Sequence, residues 1–151
     1  NFMDEAISES AKNLEQATAD LFGAVVVKDG VIVGRGHNEV LKNNDPTCHG
    51  EIQAIRDACR NLGTYDLSGC ELYTSAEPCP MCLSAIIWAN IKTVYYGNSA
   101  KDAGIGFRDD FIYDFIKRAA PTKIRWPCGR LGREEAIKIF EQYKEKNMTI
   151  Y

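Results

Sequence analysis

His49-Gly50-Glu51, followed along the chain by Pro78-Cys79-Pro80-Met81-Cys82, is the pattern around which this protein is predicted to fold. One imidazole and two thiols supply three ligands of the kinds that bind zinc. Structural zinc sites are closed by four protein ligands, whereas catalytic sites use three and keep one position for water. Glu51 lies two residues from His49, where its carboxylate would handle the protons of that water. The pattern therefore predicts catalytic zinc held by His49, Cys79 and Cys82.

The residues around this pattern predict alternating helices and strands. An amphipathic helix opens the chain, and Asp29-Gly30 between two apolar runs indicates a hairpin. A helix that begins at Thr47 or Cys48 is expected to end at Gly63, with a second helix at residues 79–89. The strands are expected at residues 22–28, 31–38, 72–74 and 93–97. Strands separated by helices pair in parallel beneath them, so the fold class is layered α/β.

The C-terminal third follows a looser pattern. Residues 98–109 are expected to form a loop, and a short helix is expected at residues 110–118. Residues 123–126 favour a strand, and residues 133–146 favour a final amphipathic helix. This third is locally basic, which is typical of a solvated face or of acid–base pairing within the fold.

The composition is that of a soluble globular protein. A length of 151 residues with 45% apolar residues suits one domain, residues 1–151, with a hydrophobic core. A net charge of −3 makes nucleic acid an unexpected partner. No stretch approaches the ~20 apolar residues of a membrane span, and residues 1–14 lack the pattern of a signal peptide. Two of the six cysteines fit the metal site and the others form no regular framework, which favours a reducing, cytoplasmic location.

The predicted ligands sit where helices begin. His49 is expected in the first turn of one helix, and Cys79 and Cys82 in the first turn of another, three residues apart on one face. Two helix N-termini can then converge on one metal, and their partial positive charges favour thiolates over thiols. A lone C-x-x-C also suits a redox pair or two core cysteines, and a lone histidine suits a helix start. The combination with Glu51 favours zinc over these alternatives.

Three ligands and a carboxylate predict hydrolytic removal of an amino group. Zinc lowers the pKa of a bound water to about 7, so hydroxide would be present at neutral pH to attack a carbon that bears an amino group. Glu51 would take the water proton and pass it to a ring nitrogen and then to the leaving amine. The backbone amide of Cys79 would help to hold the oxygen on the tetrahedral centre.

These motifs resemble the cytidine deaminase-like zinc superfamily, whose H-x-E and P-C-x-x-C elements they match. Within it the chain looks most like the short guanine deaminases, because three further stretches are similar. They are Asn43-Asn44-Asp45-Pro46-Thr47, Gly106-Phe107-Arg108-Asp109 before Phe111-Ile112-Tyr113, and the last residue, Tyr151. The resemblance implies a three-layer α/β/α sandwich around a mixed five-stranded sheet. It also implies zinc as cofactor and a free nucleobase as substrate, most simply guanine converted to xanthine and ammonia.

The resemblance further implies roles for individual residues. Asn38 would hydrogen-bond the purine, with Phe22 and Trp88 forming walls of the pocket and Gly50 lying against the substrate. Asp109 would contact the amino side of the base and assist proton transfer. In that family the C-terminal segment is exchanged between two subunits. This chain would then be a homodimer in which Tyr151 closes the partner's pocket.

Two departures keep alternatives open. The family usually has alanine where this chain has Gly50, and glycine there is more similar to the short zinc-type cytosine deaminases. A second acid, Asp110, follows Asp109 and is an alternative loop acid. Cytosine deaminase and transfer-RNA adenosine deaminase are therefore the alternative activities. The alternative from another functional class is a binding module that zinc stabilises and that catalyses no reaction. Such a module would be expected to lack Glu51.

Overall fold

The computed structural model describes residues 1–15, 22–99 and 109–117. The chain divides into two compact units, Asn1–Asp114 and Phe115–Tyr151, and the fold below is that of the first unit. The described helices are α1 (Phe2–Glu15), α2 (Val40–Asn43), α3 (Gly50–Leu62), α4 (Pro80–Trp88) and α5 (Asp109–Lys117). The described strands are β1 (Gly23–Lys28), β2 (Val31–His37), β3 (Cys70–Ala76) and β4 (Thr93–Asn98). The organisation as one domain with an exchanged C-terminal segment stays a prediction.

The strands form one mixed sheet in the order β2-β1-β3-β4. Strand β1 is antiparallel to β2 and to β3, and β3 is parallel to β4. The predicted hairpin is confirmed, because Lys28 pairs with Val31 across a two-residue turn. Asp29 and Gly30 adopt positive φ angles of 49° and 77°, as a turn that matches the twist of its strands requires. The fifth expected strand, at residues 123–126, lies outside the described residues.

The central strand β1 separates two apolar layers. Ala24 and Val26 pack in a cluster with residues of α3 and α4, whereas Val25 and Val27 pack against Ala6 of α1. The alternation follows from the two-residue period of a strand. Burial of one such valine stabilises the fold by about 1.5–3 kcal/mol, so β1 ties both helical layers to the sheet. The predicted three-layer α/β/α arrangement around a mixed sheet is confirmed.

Strand β2 lets α3 approach unusually closely. A Cβ atom on Gly36 would lie 2.3 Å from the backbone nitrogen of Ala54, and one on Gly34 would lie 2.4 Å from its carbonyl oxygen. Both separations are shorter than any real Cβ contact, so only glycine fits at these two positions. The packing brings the N-terminus of α3 to the end of β2, where the candidate site lies.

Several predicted boundaries are corrected by the structure. Helix α3 begins at Gly50 and α4 at Pro80, so His49 and Cys79 are N-cap residues and do not lie within the first turn. Strand β3 extends over Cys70–Ala76, beyond the expected residues 72–74, because parallel pairing with β4 continues to Ala76 and Asn98. The short helix α2 was not predicted, since its four residues are too few for a periodic pattern.

The remaining boundaries differ by one or two residues. Strand β4 ends at Asn98, one residue beyond the expected end, and α5 begins at Asp109, one residue before the expected start. Among residues 1–15, 22–99 and 109–117, none of the helices has the length and apolar character needed to cross a lipid bilayer.

Candidate active site and metal centre

His49, Cys79 and Cys82 converge although they come from two helices. His49 Nδ1 lies 3.6 Å from Cys79 Sγ and 3.6 Å from Cys82 Sγ. The three ligand atoms all lie within 4.8 Å of one another, and they are the only such group among the described residues. His49 and Cys79 are both N-cap residues with extended backbone angles, with ψ of 157° and 166°.

The two thiols hold one proton between them. Hydrogen bonds with Cys82, which are the largest cause, and with His49 together lower the pKa of Cys79 to about 4 against the opposing effect of burial. The hydrogen bond to Cys79 and burial raise the pKa of Cys82. The N–H of Cys82 also donates to Cys79 Sγ at 3.5 Å, so the thiolate lies at the start of α4. The site thus presents one preformed thiolate at neutral pH.

These residues fit a zinc ion. Imidazole nitrogen and thiolate sulfur are the ligands that zinc prefers, and three of them leave the fourth tetrahedral position open. Both Cys79 and Cys82 would hold zinc as thiolates, because only the deprotonated sulfur coordinates the metal. A closed structural site would need a fourth protein ligand, and the described residues bring none to this group.

Glu51 is buried directly beside the ligands. Glu51 is 6% exposed, and its Oε2 atom lies 3.5 Å from the Sγ atom of Cys82. Burial raises the pKa of the Glu51 carboxyl above its usual value, and the charge of Cys79 adds to this rise. A buried carboxyl group with a raised pKa beside candidate metal ligands is suited to accepting and returning protons at neutral pH.

Thr74 holds the second oxygen of this carboxylate. The hydroxyl of Thr74 in β3 donates to Glu51 Oε1 at 3.4 Å, and Thr74 is 1% exposed. Sequence reasoning did not find Thr74, because the pattern of β3 shows only that this position faces a buried side. Its partner Glu51 comes from α3, and only the packing of α3 on the sheet brings the two together.

A tight loop before α3 positions His49. Asp45 Oδ1 accepts hydrogen bonds from the backbone N–H of Thr47 at 2.8 Å and from its hydroxyl at 2.7 Å. Asp45 Oδ2 accepts from the thiol of Cys48 at 3.2 Å, and Arg56 Nη1 lies 3.6 Å from the same sulfur. These bonds lower the pKa of Asp45 to about 2, with the Thr47 hydroxyl as the largest cause. Asp45 was noticed only as part of a family stretch, and its role in holding the loop follows from the structure.

Three candidate substrate residues lie together beside the metal ligands. Asn38 is 8% exposed. Its side-chain oxygen Oδ1 accepts a hydrogen bond from the backbone N–H of Val40 at 2.9 Å, and its backbone N–H donates to the carbonyl of Phe22 at 2.8 Å. The N–H of Glu39 donates to the carbonyl of Cys48 at 2.9 Å, which ties this rim to the His49 loop. Gly50 is buried against the backbone of Phe22. The structure therefore brings Asn38, Phe22 and Gly50 to one side of the centre.

The other candidate residues are placed differently. Trp88 is the last residue of α4 and is 68% exposed, at the opposite end of the helix from Cys79. A helix of this length spans about 13 Å, so Trp88 lies at a distance from the metal ligands within this chain. Asp109 and Asp110 begin α5, but their side chains are not among the described parts of the structure. Tyr151 lies outside the described residues.

Comparison with known proteins decides the family. The family described as the cytidine and deoxycytidylate deaminase zinc-binding region matches residues 1–98, which include all three ligands and Glu51. The chain belongs to this deaminase family. The resemblance drawn from the sequence motifs is confirmed, as are the zinc cofactor and the prediction of an enzyme.

Individual members of the deaminase family are similar over most of the chain. The guanine deaminase of Bacillus subtilis (strain 168) is 48% identical over 123 residues, 81% of this chain and 79% of that protein. The X-ray structure of the guanine deaminase from Bacillus subtilis superposes with a TM-score of 0.88 at 42% identity, covering 99% of this chain and 96% of that one. The tRNA-specific adenosine deaminase of Aquifex aeolicus (strain VF5) is 40% identical over 148 residues, 96% of this chain and 93% of that protein.

Proposed function

We propose that this member of the deaminase family is a zinc-dependent aminohydrolase of a free nucleobase that converts guanine and water to xanthine and ammonia. The observation that carries the reaction is the buried Glu51 carboxyl 3.5 Å from Cys82 Sγ, beside three convergent ligands. The choice of guanine is supported by the 48% identity to a guanine deaminase and by a TM-score of 0.88 to one.

In the proposed mechanism, His49 Nδ1, Cys79 Sγ and Cys82 Sγ would hold the zinc ion. When bound, zinc supplies a water molecule that is acidic enough to act as a nucleophile near neutral pH. Glu51 accepts one proton from the attacking water and delivers it to a ring nitrogen. It then takes the second proton from the hydroxyl on the tetrahedral carbon and passes it to the amino group, so that the C–N bond breaks and a carbonyl and ammonia remain. Its raised pKa suits both transfers, because a carboxyl with its usual pKa would give up the proton too readily to return it.

The remaining residues of the proposed pocket bind and orient the base. Asn38 would offer its side-chain amide to the purine, Phe22 would form an apolar wall, and Gly50 would lie against the ring. Val40 supports this role for Asn38, because its N–H fixes the orientation of the amide. Buried, hydrogen-bonded amides discriminate bases more sharply than apolar contacts, because a wrong base leaves them unpaired.

We also propose roles for Asp109, Asp110, Tyr151 and Trp88. Asp109, or Asp110 in its place, would contact the amino side of the base and assist proton transfer. The protein would be a homodimer that exchanges its C-terminal segments, so that Tyr151 closes the partner's pocket and Trp88 adds a wall. The exposed apolar side chains Leu83, Ile87 and Trp88 on α4 support a contact with a partner. A cytoplasmic location is proposed from the cysteine usage.

A substrate panel tests the proposal. Zinc-loaded protein is incubated with guanine, cytosine, adenine and cytidine, and ammonia release is followed together with the absorbance change of each base. We expect guanine to be deaminated with the highest kcat/KM, by at least about 100-fold, because buried polar groups reject ill-fitting bases strongly. A higher kcat/KM for cytosine would assign the second activity considered from Gly50 and would refute the guanine assignment.

Deamination of adenosine in transfer RNA is a second candidate. It is favoured by the 40% identity to a tRNA-specific adenosine deaminase over 96% of this chain and 93% of that protein. The net charge of −3 opposes it, since binding of a polyanion depends on basic residues. An inosine assay on transfer RNA distinguishes the two, and turnover of transfer RNA without turnover of guanine would establish this second candidate.

A further inference from the structure

We infer that Gly50 is a specificity-determining residue that sets the width of the base pocket, because its lack of a side chain lets the Phe22–Gly23 backbone lie against the start of α3. The inference rests on the proposed function, since it concerns the fit of a nucleobase between the two walls. One wall is the α3 start, with His49 and Glu51. The other wall is the rim that contains Phe22 and Asn38.

Distances around Gly50 show how closely the two walls approach. A Cβ atom on Gly50 would lie 3.0 Å from the carbonyl oxygen of Phe22 and 3.2 Å from the Cα atom of Gly23. Contacts of this length are tighter than nine in ten real Cβ contacts, and both neighbours are backbone atoms. An alanine at position 50 would therefore fit only if the Phe22–Gly23 backbone moved away by a few tenths of an ångström.

That backbone is attached to the rim that would bind the base. The carbonyl of Phe22 accepts the N–H of Asn38 at 2.8 Å, so a displacement of Phe22 carries Asn38 with it. The N–H of Gly23 donates to Ser75 Oγ at 3.2 Å, which holds the same segment from the other side. Helix α1 covers Gly23 so tightly that a Cβ there would lie 2.3 Å from the backbone nitrogen of Ser10. A shift at Phe22 is therefore passed on to Asn38 and is not absorbed locally.

The opposite wall is held in place independently. Glu51 follows Gly50 directly and is held by the hydroxyl of Thr74 at 3.4 Å, while the carbonyl of His49 accepts the N–H of Gln53 at 3.0 Å within α3. A side chain at position 50 would thus separate the rim from the catalytic wall without moving the metal ligands. The pocket would then be wider, while the metal ligands and Glu51 would keep their positions.

Base binding to an inactive pair of variants tests this inference. Glu51→Gln and Glu51→Gln/Gly50→Ala are loaded with zinc, and the Kd of guanine, cytosine and adenine is measured by calorimetry. We expect the alanine to raise the Kd of the preferred base about 3- to 10-fold, because a displaced Asn38 would lose about one net hydrogen bond to the base. In the active background, Gly50→Ala should raise KM and leave kcat within about twofold. Zinc content should not change.

Two further variants separate pocket width from general stability. Ala58→Gly loosens the same helix two turns further on, and it should lower the melting temperature with no change in the ratio of base affinities.

Ser75→Ala releases Gly23 from the other side. The increase in Kd that Gly50→Ala causes should therefore be smaller in its presence, as a double-mutant cycle measures. Additive effects of Gly50→Ala and Ser75→Ala on the Kd would overturn the inference. So would an unchanged Kd for every base.

The outcome is independent of which base is the substrate. If the panel shows cytosine to be the preferred base, the proposed guanine activity fails, but the same comparison is made with cytosine and still tests Gly50. If guanine is the substrate and Gly50→Ala alters only zinc content or the melting temperature, the inference alone is refuted.

Discussion

The sulfur of Cys82 lies 3.5 Å from the Oε2 atom of Glu51, so a candidate metal ligand and the proposed proton carrier are in direct contact. Cys82 comes from α4 and Glu51 from α3, and their meeting depends on both helices packing on the same face of the sheet. Any water held at the open position of the centre would therefore lie beside a buried carboxyl.

Thr74→Val should weaken the hold on Glu51 while it preserves the shape of the side chain. The Thr74 hydroxyl donates to the carboxylate and so favours its ionised form, and its loss should raise the pKa of Glu51 further. The acid limb of the kcat/KM profile should then move to higher pH, with a severalfold loss of activity below neutrality. A pH–rate profile measures this shift. An unchanged acid limb would show that the Thr74 hydroxyl does not act on Glu51. The matched control is Thr64→Val, which removes the hydroxyl of an exposed threonine.

Asp45→Ala should reduce zinc affinity, although Asp45 does not touch the metal. Its carboxylate holds Thr47 and Cys48 in the loop that carries His49, and loss of such supporting bonds costs about 10- to 100-fold in metal affinity. Competition with a chromogenic chelator measures the affinity. Asp45→Asn keeps an acceptor oxygen and should recover part of the loss. Equal zinc affinity in Asp45→Ala and the parent would contradict this role.

Stability against acid should also depend on Asp45. Its pKa in the folded protein is about 2, below the ordinary 3.8, so the ionised carboxylate stabilises the fold above pH 3.8 and this contribution is lost as the pH falls to about 2. Asp45→Asn should therefore show a smaller loss of stability between pH 4 and pH 2 than the parent. Denaturant unfolding of zinc-free protein at a series of pH values measures the difference. Parallel pH dependences would contradict the lowered pKa.

Among the cysteines that the structure describes, Cys79 should be unusually reactive in the zinc-free protein. Cys79 has a pKa of about 4 and is thiolate at pH 6, whereas burial raises the pKa of Cys59 and keeps it as thiol. Iodoacetamide at pH 6 should modify the peptide that contains Cys79 first, and zinc should protect it. Mass spectrometry of the digested protein identifies the site. Faster labelling of Cys59, or no protection by zinc, would contradict this assignment.

The metal ligands could be predicted from sequence because their chemistry is local. A histidine followed by a glutamate and two cysteines three residues apart specify donor atoms and helix starts without reference to the rest of the fold. The hairpin at Asp29-Gly30 was equally predictable, since only a few residue types tolerate the positive φ angles of that turn.

The surroundings of the ligands depend on packing and were predicted less well. Thr74 reaches Glu51, and Phe22 reaches Gly50, across elements that are distant in the chain, and no periodicity encodes such contacts. The N-cap positions of His49 and Cys79 were missed by one turn or less, because an N-cap histidine or cysteine lacks the sequence signal that serine or aspartate provides.

Guanine turnover by the parent protein and by Glu51→Gln, compared at equal zinc content, tests the central claim most directly. The parent should release xanthine and ammonia from guanine, while Glu51→Gln should bind one zinc ion per chain, fold normally and lose about 100- to 10,000-fold in kcat, as expected for removal of a positioned acid–base group. Turnover of guanine by Glu51→Gln at the rate of the parent, with zinc fully bound in both, would contradict the account.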